Sequence, residues 1–334
     1  MNSPKSQYDW QVYNAEETGL GTRGENFNKL LIEDGAFYLL GNSSGNDLSK
    51  SKSIVYKSED NGNSWTEEYT GAGNISDGYF ALQELNLFKE VYSDSSLDNT
   101  SLSLINRDSV IHSFKKNSSV KGVFMDSYGK GAVVVNNSFS ANDNAVFWTI
   151  DNFKNYDSTY VGKSIKKSYF FNSKVYLLTY ELTRENYKVQ EKNGIDIIDK
   201  NGNQQSLQIK SNVEDFIVDG EGIFLLKKQN GISIEYLSKE GQEEMISLIK
   251  KNALTPKKIY KHNKFIAVLT STVDKSALGG FGGSEYQLFL SFDKGQTFKQ
   301  EKLPINDFVG AIGFYKDEKI IIYSGAGRIS VCHL

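Results

Sequence analysis

The octapeptide Ser58-Glu59-Asp60-Asn61-Gly62-Asn63-Ser64-Trp65 has partial copies further along the chain, and a chain that repeats one corner repeats the unit that corner belongs to. It directly follows the apolar run Ile54-Val55-Tyr56. Its composition is that of a tight hairpin turn. The Ser58 hydroxyl and the Asp60 carboxylate suit hydrogen bonds to neighbouring backbone N–H groups, Gly62 accepts the positive φ that other residues resist, and Trp65 leads into the next strand. Ser291-Phe292-Asp293-Lys294-Gly295-Gln296-Thr297-Phe298 keeps Ser, Asp, Gly, a hydroxyl residue and an aromatic at every matching place. Thr149-Ile150-Asp151-Asn152-Phe153-Lys154-Asn155-Tyr156 keeps Thr149, Asp151 and the aromatic but has Phe153 in the glycine position. The strands that precede these turns align as well, with Val55-Tyr56, Val146-Phe147 and Leu288-Phe289 at equal distances from them.

A second ruler is the pattern of apolar strand, short polar turn and apolar strand. It occurs around Asp34-Gly35, Gly129-Lys130-Gly131, Asn172-Ser173, Asp219-Gly220, His262-Asn263 and Lys316-Asp317, with a less clear copy near Asn86. The turns recur every ~42 to 55 residues, the length of a four-stranded propeller blade, which makes seven units. Aromatic content of 13% and 29 glycines suit strands and turns, and 3 prolines with few periodic Leu or Ala stretches give helices little support. The chain therefore reads as one all-β domain over residues 1–334, with units at 28–70, 78–117, 118–161, 163–209, 211–249, 254–303 and 307–334. The last unit has only three strands, ending with Arg328-Ile329-Ser330-Val331. Residues 8–14, around Trp10-Gln11-Val12-Tyr13, alternate as a strand should and are expected to supply the fourth, so that no sheet edge stays open.

The pattern S/T-x-D-x-G-x-T/S-W/F at 58–65 and 291–298, and less completely at 149–156, resembles the Asp-box of the sialidase-like (BNR-repeat) β-propellers. That resemblance implies a seven-bladed propeller, with six blades as the alternative, in which the box caps the hairpin between the third and fourth strands. Ser58, Asp60, Gly62, Trp65, Thr149, Asp151, Ser291, Asp293, Gly295 and Phe298 are then structural. It also implies that ligands meet the opposite face, which carries the second-to-third-strand loops and the blade connections. Those loops are long at Gly41–Ser53, Asn136–Asn144, Leu182–Asn193 and Ser271–Glu285, and long loops on a rigid ring are where binding residues gather.

The same resemblance raises sialidase chemistry, which would call for an Arg-Ile-Pro motif, an arginine triad, an acid/base aspartate and a Tyr/Glu nucleophile pair. The Arg-Ile-Pro motif is missing. The four arginines fall at 23, 107, 184 and 328, with Arg107 at a turn on the Asp-box side and Arg328 at the start of a strand, which makes a clasp on one face hard to assemble. His112, His262 and His333 are too scattered for a catalytic triad or a metal cluster. The acidic pairs Glu67-Glu68 and Glu243-Glu244 read as solvated hairpin surface. No cofactor or metal is expected.

Net charge is −3, with 38 basic and 41 acidic residues, and no basic stripe of the kind that binds a phosphate backbone, so nucleic acid is not an expected partner. Cys332 is the single cysteine, which rules out an internal disulfide and fits a cytoplasm or a periplasm equally. The first residues lack a signal-peptide core and no run approaches the ~18 apolar residues of a membrane span. A soluble protein is expected, and the strong bias to lysine suggests a bacterial source, with location open between cytoplasm and periplasm after loss of a signal.

The expected function is non-enzymatic binding of a macromolecule, a protein, by a monomeric propeller through its loop-rich face. A toxin inhibitor, an assembly factor and a receptor-like module all fit. Candidate contact residues are Arg23 in the blade connection Glu16–Glu25, Arg184, Glu185 and Tyr187 in a long loop, and Phe281 between the glycine pairs of 279–283. The alternative is a glycan-binding propeller or a sialidase-like glycoside hydrolase with aromatic and carboxylate side chains around the central pocket.

Overall fold

The computed structural model describes residues 8–20, 25–43, 50–92, 100–107, 109–185, 188–210, 212–220, 222–228, 231–249, 254–262, 265–273, 284–304, 309–315, 319–324 and 327–334. They form seven four-stranded antiparallel sheets, the blades of a β-propeller. The chain begins with β1 (Trp10–Tyr13) and a four-residue helix, α1 (Ala15–Thr18). Blade one is β2 (Glu25–Glu33), β3 (Ala36–Ser43), β4 (Lys52–Ser58) and β5 (Thr66–Ala72). Blade two is β6 (Asn74–Ala81), β7 (Glu84–Tyr92), β8 (Thr100–Asn106) and β9 (Ser109–Ser113). Blade three is β10 (Ser118–Met125), β11 (Gly131–Asn137), β12 (Ala145–Thr149) and β13 (Tyr156–Tyr160). Blade four is β14 (Ser164–Phe171), β15 (Lys174–Glu185), β16 (Lys188–Asp199) and β17 (Gln204–Gln208). Blade five is β18 (Asp215–Val218), β19 (Ile223–Lys228), β20 (Ile232–Leu237) and β21 (Glu243–Ile249). Blade six is β22 (Leu254–His262), β23 (Phe265–Val273), β24 (Ser284–Ser291) and β25 (Lys299–Glu301). Blade seven is β26 (Val309–Tyr315), β27 (Lys319–Ser324) and β28 (Arg328–His333), with β1 as its outer strand.

The two-residue period of a strand explains why the middle strands read as unbroken apolar runs. In β4, Ile54 and Tyr56 pack toward blade seven while Val55 between them packs toward blade two. In β27, Ile320 and Ile322 pack toward blade six and Ile321 toward blade one. Each middle strand is thus covered on both faces, and a separate apolar cluster fills each junction between neighbouring blades. With each buried aliphatic side chain contributing about 1.5–3 kcal/mol, the radial stacking of sheets carries most of the stability.

The ring closes as expected through the N-terminal strand, for β1 pairs antiparallel with β28 in the register Trp10↔Cys332 to Tyr13↔Ile329. The Trp10 indole N–H donates to Glu301 Oε1 of blade six at 3.1 Å, and Tyr13 packs on the cluster between blades seven and one. β1 thus covers β28 and completes blade seven to four strands, becoming its outer strand as β5 is in blade one.

The octapeptide turns lie between third and fourth strands. In the first, Ser58 Oγ accepts the Gly62 N–H at 2.9 Å, Asp60 accepts the Ser64 N–H at 2.8 Å, and the Trp65 indole N–H donates to the Gly62 carbonyl at 3.0 Å. Ser291 Oγ takes the Gly295 N–H and Asp293 the Thr297 N–H in the same way. The third turn repeats the pattern with Thr149 Oγ1 accepting the Phe153 N–H at 2.9 Å. Backbone geometry matches too, with φ of 61° and 92° at Asn61-Gly62, 58° and 87° at Lys294-Gly295, and 56° and 66° at Asn152-Phe153. A phenylalanine therefore sits in the left-handed conformation that the other two turns give to glycine.

Three expectations need correction. The first hairpin of blade two turns at Leu82-Gln83, both with positive φ, rather than near Asn86, whose side chain is buried in β7. Residues 182–193 are not a loop but the paired arms of β15 and β16. Glu243 is not solvated, because its carboxylate meets the fully buried Lys227 ammonium at 2.5 Å beside Glu235 at 2.7 Å. The blade connection after β1 contains α1, where Asn14 and Glu17 form a capping box.

Candidate functional site

In every blade the first hairpin, and in blades one to six also the third-to-fourth-strand turn, lies at one end of the strands, and the second-to-third-strand connection and the link to the next blade lie at the other. The octapeptide turns mark the first end, here the turn face. The second end is the loop face. Two features distinguish the loop face.

The first is an arm. In blade four the inner strand β14 stops pairing at Ser164↔Tyr180 and the outer strand β17 at Gly194↔Gln208, but β15 and β16 continue to pair with each other from Glu181↔Lys192 to Glu185↔Lys188. At about 3.3 Å per residue those five pairs carry the ribbon ~16 Å beyond its sheet. Leu182 on it is 63% exposed. The middle strands of the next blade, β19 and β20, have only six residues each.

The second is the lining of the central channel, built from the innermost strands β2, β6, β10, β14, β18, β22 and β26. Close to their starts, six of them carry a bulge, with register breaks at Phe27/Lys29, Ile75/Asp77, Val120/Gly122, Ile165/Lys167, Pro256/Lys258 and Val309/Ala311. In blade five the Glu214 N–H donates to the Leu226 carbonyl although Leu226 already opposes Asp215, which is the same two-against-one arrangement. A bulge re-aims side chains, and here it does so at one level around the ring, next to the loop face. The bulged residues and those just after them include Lys29, Lys121, Lys166, Lys167, Lys257 and Lys258, against Asp77, Glu214 and Asp215 as the only acids. In a chain of net charge −3 this belt has lysines in twofold excess over carboxylates.

Interactions across the ring show that several of these side chains share one space. Lys29 of blade one bonds Asp77 of blade two at 2.9 Å. Lys258 of blade six is within electrostatic reach of Asp215 of blade five, Lys167 of blade four, Lys29 and Asp77. Only projection into the centre brings groups from five blades together. Lys258 is open to solvent yet surrounded by protein, and this desolvation, with Lys167 and Lys29 nearby, pulls its pKa below the usual lysine value. Burial pushes the Asp215 carboxyl up, against the pull of Lys167 and Lys258, and its Oδ2 accepts the Ile259 N–H at 3.0 Å. Lys166 donates to the Val213 carbonyl at 2.8 Å and stands 3.6 Å from Glu191 at the base of the arm, joining arm and channel mouth. Lys121 lies near Glu90, whose carboxyl is raised by burial.

The expected contact residues are placed only in part. Arg184 and Glu185 lie at the tip of the arm, opposite Val189 and Lys188. Arg23, Tyr187 and Phe281 fall outside the described residues. Arg107 follows β8 on the turn face and Arg328 opens β28 on the loop face; among the described residues no arginine is on an inner strand. His112 is packed among Phe114, Phe147, Phe153 and Tyr156, with ring centres 4.5 to 6.3 Å away, and burial lowers its pKa. The channel lysines were missed in the sequence. Their visible signal was a pair of lysine doublets, Lys166-Lys167 and Lys257-Lys258, at the same place in two blades.

No family model matches the chain, and no curated protein matches it. Solved structures do. Virginiamycin B lyase from Staphylococcus aureus superposes with a TM-score of 0.62 at 10% identity over 98% of this chain and 100% of the other. YCF48 bound to D1 peptide gives 0.62 at 11% identity over 99% and 97%. The phage phi92 endosialidase gives 0.53 at 9% identity over 98% of this chain and 69% of that one. These likenesses bear on the fold alone.

Proposed function

We propose that this chain is a non-enzymatic propeller of the Asp-box type that binds a protein partner through its loop face. The observation that carries the reading is the β15–β16 arm. A two-stranded ribbon with no third strand among the described residues and an exposed Leu182 is marginally stable in water, so a chain that builds one gains most when another surface packs on it. The turn pattern at 58–65, 149–156 and 291–298 supports the family assignment, since a Ser or Thr hydroxyl at the matching position accepts the equivalent backbone N–H in three blades. Similar folds include proteins named as enzymes and one bound to a peptide, so the fold is compatible with binding and with catalysis. The charged channel favours binding, because its carboxylates stand beside lysines from neighbouring blades and not beside arginines.

The test is site-specific photo-crosslinking in the source cells from Leu182 on the arm and from Ile150 on the turn face, which is 71% exposed. A discrete protein adduct from Leu182 and none from Ile150 is expected. Adducts of equal yield from both positions, or none from Leu182, would refute the reading.

A further inference from the structure

The channel mouth holds more positive charge than its neighbours neutralise. Lys29 is paired with Asp77 and Lys166 is spent on the Val213 carbonyl and Glu191. Lys167 and Lys258, by contrast, have no hydrogen-bond or ion-pair partner among the described residues, although Lys258 lies 5.0 Å from the Tyr260 ring centre. Asp215, the carboxylate that faces both, is 5% exposed and already accepts a backbone N–H, and burial favours its neutral form. Lys121 and Lys257 are exposed at the bulges of their own inner strands, at the same level of the ring. An opening lined by one sign of charge raises the local concentration of the opposite ion.

We infer that the mouth of the central channel is an anion-binding site, built from Lys167 and Lys258 with Lys29, Lys121 and Lys257 around them, that takes an acidic segment of the protein partner. The inference rests on the reading of the loop face as a protein-binding surface and adds the chemistry of what is bound. Spaced ammonium groups, each a point charge on a flexible stem, fit a run of carboxylates along an extended peptide. A single carboxylate or phosphate gripped in a plane would instead call for the fork of an arginine, and the inner strands place none there. Electrostatics gives the same direction, for an anion seated between Lys167 and Lys258 relieves the repulsion between them.

The experiment measures fluorescence anisotropy of a labelled oligoglutamate peptide of about eight residues against the full chain, with a Gly/Ser peptide and hyaluronan as competitors. Three variants accompany the wild type: Lys167→Gln/Lys258→Gln, the charge-keeping Lys167→Arg/Lys258→Arg, and Lys154→Gln/Lys239→Gln as an exposed control. Binding should weaken as salt rises, fall roughly tenfold in the Lys167→Gln/Lys258→Gln variant, and persist in the arginine and control variants. Circular dichroism and melting check that each variant is folded. If the glutamine variant does not fold, the arginine variant together with competition by the Gly/Ser peptide decides. Equal binding by wild type and glutamine variant, equal competition by the neutral peptide, or binding of hyaluronan with none of the acidic peptide would overturn the inference. Crosslinking from Leu182 separates the two failures. An adduct without peptide binding sinks the channel site and leaves the loop-face reading, and loss of both sinks both.

Discussion

Phe153 provides a test in which the usual ranking of two small residues should invert. It holds φ of 66° at a position that the two sister turns fill with glycine, yet its ring is 3% exposed and packs with His112, Phe114 and Tyr156 at 5.6 to 6.0 Å between centres. Removing the ring should cost ~3–5 kcal/mol in either Phe153→Ala or Phe153→Gly. The variants then differ only in backbone. Alanine keeps the left-handed penalty of ~1–2 kcal/mol, whereas glycine removes it and gives back ~0.4–1 kcal/mol through the greater freedom of its unfolded chain. The glycine variant should therefore be the more stable by about 1 kcal/mol. The Phe153 N–H bond to Thr149 Oγ1 survives both changes, so it does not confound the comparison. Urea denaturation with both midpoint and slope is the assay, and Val110, 61% exposed in β9, is the control site where alanine should exceed glycine. Phe153→Ala as stable as Phe153→Gly, at equal slope, would refute the claim that strain is stored in this turn and held there by the aromatic cluster.

Two further outcomes follow from the turns and the ring closure. The Thr297 hydroxyl and N–H, with the Ser291 hydroxyl, hold the Asp293 carboxyl at about 2, below the usual 3.8. A depressed folded-state pKa gives stability that is complete above the unfolded value near ~4 and is lost as pH falls through about 2. Asp293→Asn should melt below wild type at neutral pH, with the gap closing between about pH 4 and 2, and a pH-independent gap in calorimetry would contradict this. Cys332 is fully buried opposite Trp10, and burial, with Glu301 and Asp9 nearby, pushes its thiol up to about 12. Its reaction with Ellman's reagent should be slow in the native protein. Deleting residues 1–14 should make it fast and lower the melting temperature sharply, whereas unchanged labelling and melting would show that β1 does not close the ring.

How much of this was legible in the residues depended on range. Turn chemistry is local, so Ser58, Asp60, Gly62 and Trp65 announced their corner, and counting copies of it and of the first hairpin yielded seven units. The apolar runs Ile54-Val55-Tyr56 and Ile320-Ile321-Ile322 announced strands buried on both sides, and the missing fourth strand of the last unit pointed to Trp10–Tyr13. Where the pattern was polar, reading along the chain failed. Residues 182–193 looked like a loop because a ribbon with no sheet on either side needs no apolar alternation. Glu243 looked solvated because its partner, Lys227, comes from a strand two places away in the sheet. The channel belt was the furthest from view. Lys29, Lys167 and Lys258 are separated by more than ninety residues at each step, and each alone is an ordinary surface lysine. The sequence by itself determined the repeat, the strand faces and the closure, because those follow from period and turn chemistry within a few residues. Only the tertiary structure decided which charges meet, because closing seven blades into a ring brings the starts of all the inner strands around one axis.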